Sequence, residues 1–319
     1  MALMNAIFER KGILGKFVVV FLDDILIFSK SQAEHEEHLR QVVQCLRENR
    51  LFAKESKSEL CKTEVEFLGH YVGQDGVRVM EDKIQAVKEW PAPTRIKELR
   101  AFLGLAGYYR RFVKGFSEIA QPLTELTRAS VTTKLPWGKR EQIAFDNLKQ
   151  ALCSTPILVL PDVNKPFVVN CDASGYAVGA VLQQDHGKGL QPVAYLSRKL
   201  TGAESRYPTH EQELYAIVEA LSTWRHYLHG ATHQVIIRTD HKSLQLFQTQ
   251  PMMSGRQVRW MEILQNYNYK IEYVKGEDNI ADGPSRYGAG TGGGPANEPQ
   301  EKKLVVDPVG ATSTVARCV

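Results

Sequence analysis

Two aspartates, Asp23 and Asp24, stand side by side in FVVVFLDDILIFS, a run from Phe17 to Ser29 that is otherwise almost wholly apolar. A buried carboxylate without a partner costs several kcal/mol or is neutralised by a shifted pKa, and two adjacent ones also repel. The pair therefore calls for a cation, and a divalent metal is the natural candidate. Four further acids sit where strands end or where a helix faces them: Asp172, Glu213, Asp240 and Asp282. Carboxylates converging from separate elements are what a two-metal phosphodiesterase site requires. Two Mg²⁺ ions ~3.5–4 Å apart hold the attacking and leaving oxygens of an in-line displacement. Each acid also has an ordinary structural reading: Asp172 caps a turn, Glu213 is a solvated helix residue, Asp282 is a helix N-terminal acid. Singly those readings hold; jointly the set favours metal binding.

The elements that must position these residues can be read from periodicity. Phe17–Phe28 reads as two strands meeting at the aspartate pair, followed by an amphipathic helix from Ser31 to Asn49 with Leu39, Val42, Val43 and Leu46 on its apolar side. Glu66–Val79 has hairpin character around GQDG. WPAPT punctuates the chain before the helical run KELRAFLGLAGYYRRFV, and EQIAFDNLKQAL is a further helix. From Pro161 the texture changes to strand, turn, strand in PFVVNCDASGYAVGAVLQQ and a third strand in QPVAYLSRKL. A strong helix, EQELYAIVEALSTWRHYL, precedes the buried strand VIIRTD. RWMEILQNYNYKIEYVKG is helix then strand, and DNIADGPSR begins another helix. This order argues an α/β chain with a mixed sheet covered by helices. Trp224 and Tyr227 are expected in its core. The GAGTGGGPANEPQEKK tail is too rich in Gly, Pro and polar residues to pack, so residues 288–319 are expected to be disordered.

Composition sets outer bounds. The 319 residues suffice for two or three compact units, and 43% hydrophobic with 24% charged residues is ordinary for a globular protein. The net charge of +4 is unevenly spread, with nine Lys/Arg against four acids between Arg78 and Lys114. That suits a polyanion contact or a solvated helix face better than a membrane anchor. Five cysteines without C-x-x-C spacing point to reduced thiols in an intracellular protein, cytoplasmic or nuclear. The apolar run after Lys16 reads as neither a secretory signal nor a spanning helix, since the charged pair interrupts it.

CDASGYAVGAVLQQ, YPTHEQELYAIVEALSTWRHYL, TDHKSLQ and DNIADGPSR resemble the ribonuclease H domain of gypsy-class LTR retrotransposons, in that family's order and spacing. Upstream, FVVVFLDDILIFSKSQAEHEEHL resembles the catalytic aspartate-pair motif of their reverse transcriptase, EFLGHYV the primer-grip hairpin and KELRAFLGLAGYYRRFV the thumb. WGKREQIAFDNLKQALCSTPILVLPD resembles the connection to the nuclease. The resemblance covers about Ala2 to Arg286. It implies a partial palm over residues 1–80, a thumb over 81–135, a connection over 136–164 and an RNase H-like domain with a mixed five-stranded sheet over 165–287. It further implies that Asp172, Glu213, Asp240 and Asp282 are catalytic metal ligands of a nuclease cutting the RNA of RNA–DNA hybrids. Glu213 is preferred to Glu211 because the family's acid precedes a leucine. Asp23 would bind the polymerase metal with Asp24 beside it. Mg²⁺ is the implied ion, with Mn²⁺ as an alternative. Arg100, Tyr108, Tyr109, Arg110 and Arg111 would track a duplex backbone, although Phe102, Leu103 and Leu105 also suit the packing of a small helical thumb.

The pattern has departures. A family polymerase needs a third aspartate on an earlier palm strand, which this chain does not contain, so no polymerase activity is expected of it alone. The palm strands are expected to present an apolar sheet edge, and the region before about residue 80 to be the less stable part. Gly283-Pro284 follows Asp282 where Ala-Leu-type pairs are common, making Asp282 the least secure ligand. A proton-handling histidine in this part of the chain could only be His241. Two other readings stand beside the nuclease: a non-catalytic nucleic-acid-binding remnant, and a fragment of a longer polyprotein. The oligomeric state is not legible.

Overall fold

A computed structural model of the chain describes residues 2–128, 135–249, 253–281 and 314–318. They group into two compact units, one within Met1–Met80 and Thr291–Val319, the other within Glu81–Gly290. The first unit opens with helix α1 (Ala2–Arg10) and the hairpin β1 (Val18–Phe21) and β2 (Asp24–Ser29). Phe21 pairs with Asp24, so Leu22 and Asp23 form the two-residue turn at the tip. Leu22 sits there at φ 53°, a left-handed conformation that disfavours a branched side chain by roughly 1–2 kcal/mol. Helix α2 (Gln32–Glu48) begins at Ser31, whose hydroxyl accepts from the Glu34 amide. Its inner face is His35, Val42, Cys45 and Leu46; Val43, expected on that face, is 50% exposed because it lies one residue, about 100°, off the stripe. The inner face packs on Phe8, Val18 and Ile27. Strand β3 (Glu59–Lys62) follows, then a meander of β4 (Glu64–Phe67), β5 (His70–Gly73) and β6 (Gly76–Val79). Leu68 and Gly69, both at positive φ, make the tight β4–β5 turn, and Gln74-Asp75 of GQDG makes the β5–β6 turn.

The second unit starts with helices α3 (Glu81–Glu89), α4 (Ile96–Tyr108), α5 (Phe116–Ile119), α6 (Gln121–Leu126) and α7 (Lys139–Cys153). Leu99, Phe102, Leu123, Phe145 and Leu148 are fully buried among them, with Trp90 tilted onto Phe102 and Trp137 edge-on to Phe145. Strands β7 (Phe167–Ala173), β8 (Ala177–Asp185) and β9 (Leu190–Lys199) follow as an antiparallel set. Helix α8 (Thr209–Thr223), the short α9 (Arg225–Leu228), β10 (Val235–Thr239), α10 (Gly255–Leu264) and β11 (Tyr269–Tyr273) complete the unit. The sheet order is β11-β10-β7-β8-β9, with β10 parallel to both neighbours. This is the mixed five-stranded α/β sheet expected from sequence. Leu214, Ile217, Val218 and Leu221 of α8 bury their stripe against Val169, Cys171 and Ala180 of the sheet. Trp224 is 4% exposed and Tyr227 packs on the same core.

One expectation is corrected. Thr314–Cys318, assigned to a disordered tail, forms strand β12 between β2 and β3 of the first unit. TVARC lacks the Gly and Pro of the preceding segment. The β2 edge, expected to be open, offers a row of backbone donors and acceptors that such a segment satisfies. The intervening tail residues lie outside the described set.

Ser29, at the end of β2, is within hydrogen-bonding distance of His35 Nδ1 (3.0 Å) and His38 Nδ1 (2.8 Å), and the His38 ring stacks on Phe17. His35 is fully buried, its Nε2 has no hydrogen-bond partner, and burial followed by the neighbouring His38 lowers its pKa. The unfolded chain therefore binds a proton at a pH where folded His35 does not, and stability falls as pH drops below the ordinary imidazole value of about 6.5. Urea unfolding of the first unit at about pH 7.5 and 5 should show this loss, and a His35→Phe variant should show a smaller one; an equal pH slope in both would refute it.

Candidate active site

Asp172 is the penultimate residue of β7, and Asp240 directly follows β10. The two strands run parallel in a register that sets Arg238 opposite Asn170. Two residues further along, the same register sets Asp240 beside Asp172. Glu213 lies in the second turn of α8, which packs across β7 and β8. Carboxylate oxygens of Asp172, Glu213 and Asp240 all come within 4.8 Å of one another. Three elements thus deliver three like charges to one point at the carboxyl ends of parallel strands, where α/β sheets place their ligand sites.

Like charges gathered this closely favour a cation among them. Two unit charges 4.8 Å apart repel by on the order of 3 kcal/mol at an effective dielectric of about 20, and Glu213 is only 5% exposed. All three donors are hard oxygens, the set that Mg²⁺ and Mn²⁺ prefer. The residues therefore fit a divalent ion. Cys171, beside Asp172, belongs to the hydrophobic core instead, and complete burial first, then the charges of Glu213 and Asp172, push its thiol well above the ordinary range.

Glu213 rather than Glu211 joins the cluster. Glu211, two residues earlier, pairs with Arg256 of α10 and accepts from Ser254 Oγ at 3.4 Å, while the Arg256 guanidinium lies 3.7 Å over the Tyr207 ring. His241 adjoins Asp240 and has its Nδ1 2.8 Å from Ser243 Oγ. Asp282 lies outside the described residues. Asp23 and Asp24 occupy the hairpin tip of the other unit, Asp23 exposed and Asp24 half-buried.

The five proposed nucleic-acid contacts divide. Tyr108 is 52% exposed, Arg111 is exposed, and Arg100 reaches the Thr127 carbonyl while remaining exposed. Tyr109 is only 2% exposed and stands edge-on to Tyr108, so it is a packing residue and not a duplex contact. Arg110 is exposed and also makes a contact within the unit. Its guanidinium donates to the Ser197 carbonyl of β9 and lies over Phe116, and this desolvation lowers its pKa. Alternation of aromatic and basic types does not reveal which face of a short helix meets a sheet. A neighbouring contact was not read from sequence at all: Glu118 of α5 accepts from Ser174 Oγ (3.3 Å) and Ser197 Oγ (3.2 Å), docking α5 on β9 and on the turn that follows β7.

With this geometry in place, comparison with known proteins is decisive at the level of domains. Residues 162–267 match the RNase H-like domain found in reverse transcriptase, and residues 2–72 match reverse transcriptase (RNA-dependent DNA polymerase). The chain carries reverse transcriptase and RNase H-like domains. It is 41% identical over 278 residues to the retrovirus-related Pol polyprotein from transposon 297 of Drosophila melanogaster, a match covering 86% of the chain and 26% of that relative. Similarity to the transposon Tf2-3 polyprotein of Schizosaccharomyces pombe is 37% over 273 residues, covering 84% of the chain and 20% of the relative. The chain thus spans about a quarter of the polyproteins it matches. Among solved structures, the foamy viral protease-reverse transcriptase in complex with double-stranded DNA superposes with a TM-score of 0.73 at 26% identity, over 86% of this chain and 48% of that one.

The like-charge cluster of the RNase H-like domain makes a prediction independent of catalysis. In EDTA, Asp240→Asn should melt at a higher temperature than the unaltered chain, because repulsion is relieved. Added Mg²⁺ should stabilise the unaltered chain more than the variant. Melting curves that respond identically to Mg²⁺ would exclude the cluster as a metal site.

Proposed function

We propose that the chain is a gypsy-class retrotransposon reverse transcriptase/RNase H segment. Its RNase H-like domain hydrolyses the RNA strand of RNA–DNA hybrids with divalent metal, Mg²⁺ in the first instance. The observation that carries this reading is the convergence of Asp172, Glu213 and Asp240 within 4.8 Å at the strand ends. Asp282 is proposed as the fourth ligand. The solved relatives bound to double-stranded DNA and to an RNA/DNA hybrid support nucleic acid as the partner. Cys45, Cys61, Cys153 and Cys171 are free thiols, in keeping with work inside the cell, in cytoplasm or nucleus.

Bound among these carboxylates, a pair of Mg²⁺ ions would activate a water and stabilise the departing 3′ oxygen. The chain's own residues supply the geometry. Asp172 and Asp240 are held on adjacent parallel strands, so their separation is set by the sheet and not by mobile loops. Glu213 approaches from the helix that covers the sheet, and its burial keeps water away from that side of the cluster. Exposed Arg100, Tyr108 and Arg111 are proposed to meet the duplex backbone, whose recognition rests on shape and 2′-hydroxyls. The Asp23–Asp24 hairpin is proposed as the polymerase metal element, and its function is assigned to a complete palm.

The test is cleavage of a labelled RNA–DNA hybrid by the purified chain with Mg²⁺ and with EDTA. Asp172→Asn, Glu213→Gln and Asp240→Asn should each reduce cleavage at least about a hundredfold, as loss of a few kcal/mol of transition-state stabilisation requires. Folded, hybrid-binding protein without metal-dependent cleavage would instead establish a binding remnant.

A further inference from the structure

The segment that follows β11 carries two features that the metal cluster itself does not explain. Asn279 is 4% exposed, and its side chain makes two buried hydrogen bonds of opposite sense. Nδ2 donates to the Cys171 carbonyl at 2.9 Å, and Oδ1 accepts from the Ala281 amide at 3.1 Å. Cys171 immediately precedes Asp172, and Ala281 immediately precedes Asp282. The partners fix the amide orientation, since a carbonyl only accepts and an N–H only donates. Ala281 also lines a small cavity of about 10 Å³ together with Asp172, and Gly179, which pairs with Asp172, has the Ala281 carbonyl as its nearest neighbour on that side.

Three residues before Asn279, Gly276 approaches the same cluster. A Cβ placed on Gly276 would lie 3.3 Å from Asp240 Oδ2, close enough that the carboxylate would have to shift by a few tenths of an ångström. The backbone leads directly here: the Val274 amide donates to the Thr239 carbonyl (2.9 Å), extending the β10–β11 ladder to the residue before Asp240, and the Asn279 amide closes the turn onto the Gly276 carbonyl (3.2 Å). Residues 274–281 are therefore fastened at one end beside Asp240 and at the other beside Asp172.

Resting on the nuclease reading, we propose that Asn279 and Gly276 are positioning residues: a strap that fixes the spacing of the Asp172 and Asp240 carboxylates. Asn279 acts through the backbone, tying the carbonyl just before Asp172 to the amide of Ala281. Gly276 acts by absence, leaving Asp240 the space its ligand rotamer occupies. Neither touches substrate. Partners that orient ligands in this way change metal affinity by about 10- to 100-fold when removed.

The experiment uses the full chain and three readouts: calorimetric titration with Mg²⁺ alone, the Mg²⁺ concentration giving half-maximal hybrid cleavage, and hydrogen exchange of the peptide spanning residues 279–281. Asn279→Ala should lose protection at the Ala281 amide, weaken Mg²⁺ binding about tenfold and raise the half-saturating Mg²⁺ by the same factor, while hybrid binding in EDTA stays within about twofold. Gly276→Ala removes no hydrogen bond and serves where Asn279→Ala fails to fold; it should raise the half-saturating Mg²⁺ several-fold without changing exchange at Ala281. Unaltered Mg²⁺ affinity in a folded Asn279→Ala protein, or in Gly276→Ala, overturns the strap while leaving the nuclease intact. Absence of both Mg²⁺ binding and cleavage in the unaltered chain removes the nuclease reading and the positioning role with it.

Discussion

The repulsion among Asp172, Glu213 and Asp240 is the constraint on which the second unit turns. Carboxylates left to themselves would separate, each pair of charges being unfavourable by on the order of a few kcal/mol at this spacing. Their backbones are kept together by packed structure. Two of them belong to adjacent parallel strands, whose spacing is set by the backbone ladder. The third rides on α8, whose Leu214, Ile217, Val218 and Leu221 are almost completely buried against the sheet. Hydrophobic burial of that helix stabilises the unit by far more than the repulsion removes, at roughly 1.5–3 kcal/mol for each large apolar side chain. The clustering of the three carboxylates thus follows from the packing of the strands and helix that carry them.

Surrounding contacts serve the same end by using up the charges nearby. Glu211, close enough in sequence to compete with Glu213, is paired with Arg256 and so withdrawn from the cluster. Arg110 and Glu118, which in sequence look like surface charges, attach α5 and the turn before it to β9. The helical segment preceding the sheet is therefore not a loose appendage within this unit. The exposed residues it carries, Arg100, Tyr108, Arg110 and Arg111, stand on structure with its own aromatic core of Trp90, Phe102, Trp137 and Phe145.

The first unit answers the puzzle of its aspartate pair differently. The apolar run is interrupted because it is two strands, and the acids stand at the turn between them rather than in the core. Leu22 at φ 53° is the local expense of that turn, sustained by the ladder on both sides. The sheet is completed by β12, a pairing that joins residues nearly three hundred positions apart and that no local pattern announces.

Periodicity and residue type by themselves determined the mixed sheet, the amphipathic helices, the two hairpins and the identity of the acids at strand ends, because these depend on local alternation and on which side chains tolerate burial. The resemblance to retrotransposon motifs selected Glu213 over Glu211; only the fold supplied the reason, an arginine from α10 that is distant in sequence. Tertiary structure alone decided that Tyr109 is core while its neighbour Arg110 stays exposed and reaches a carbonyl of β9, since adjacent residues at a helix end differ in sequence by little and in burial by everything. It also decided the role of Asn279, which in sequence is one polar residue among DNIAD. Its two hydrogen bonds join backbone groups 110 residues apart, and such long-range satisfaction of buried polar groups has no period for a sequence to display.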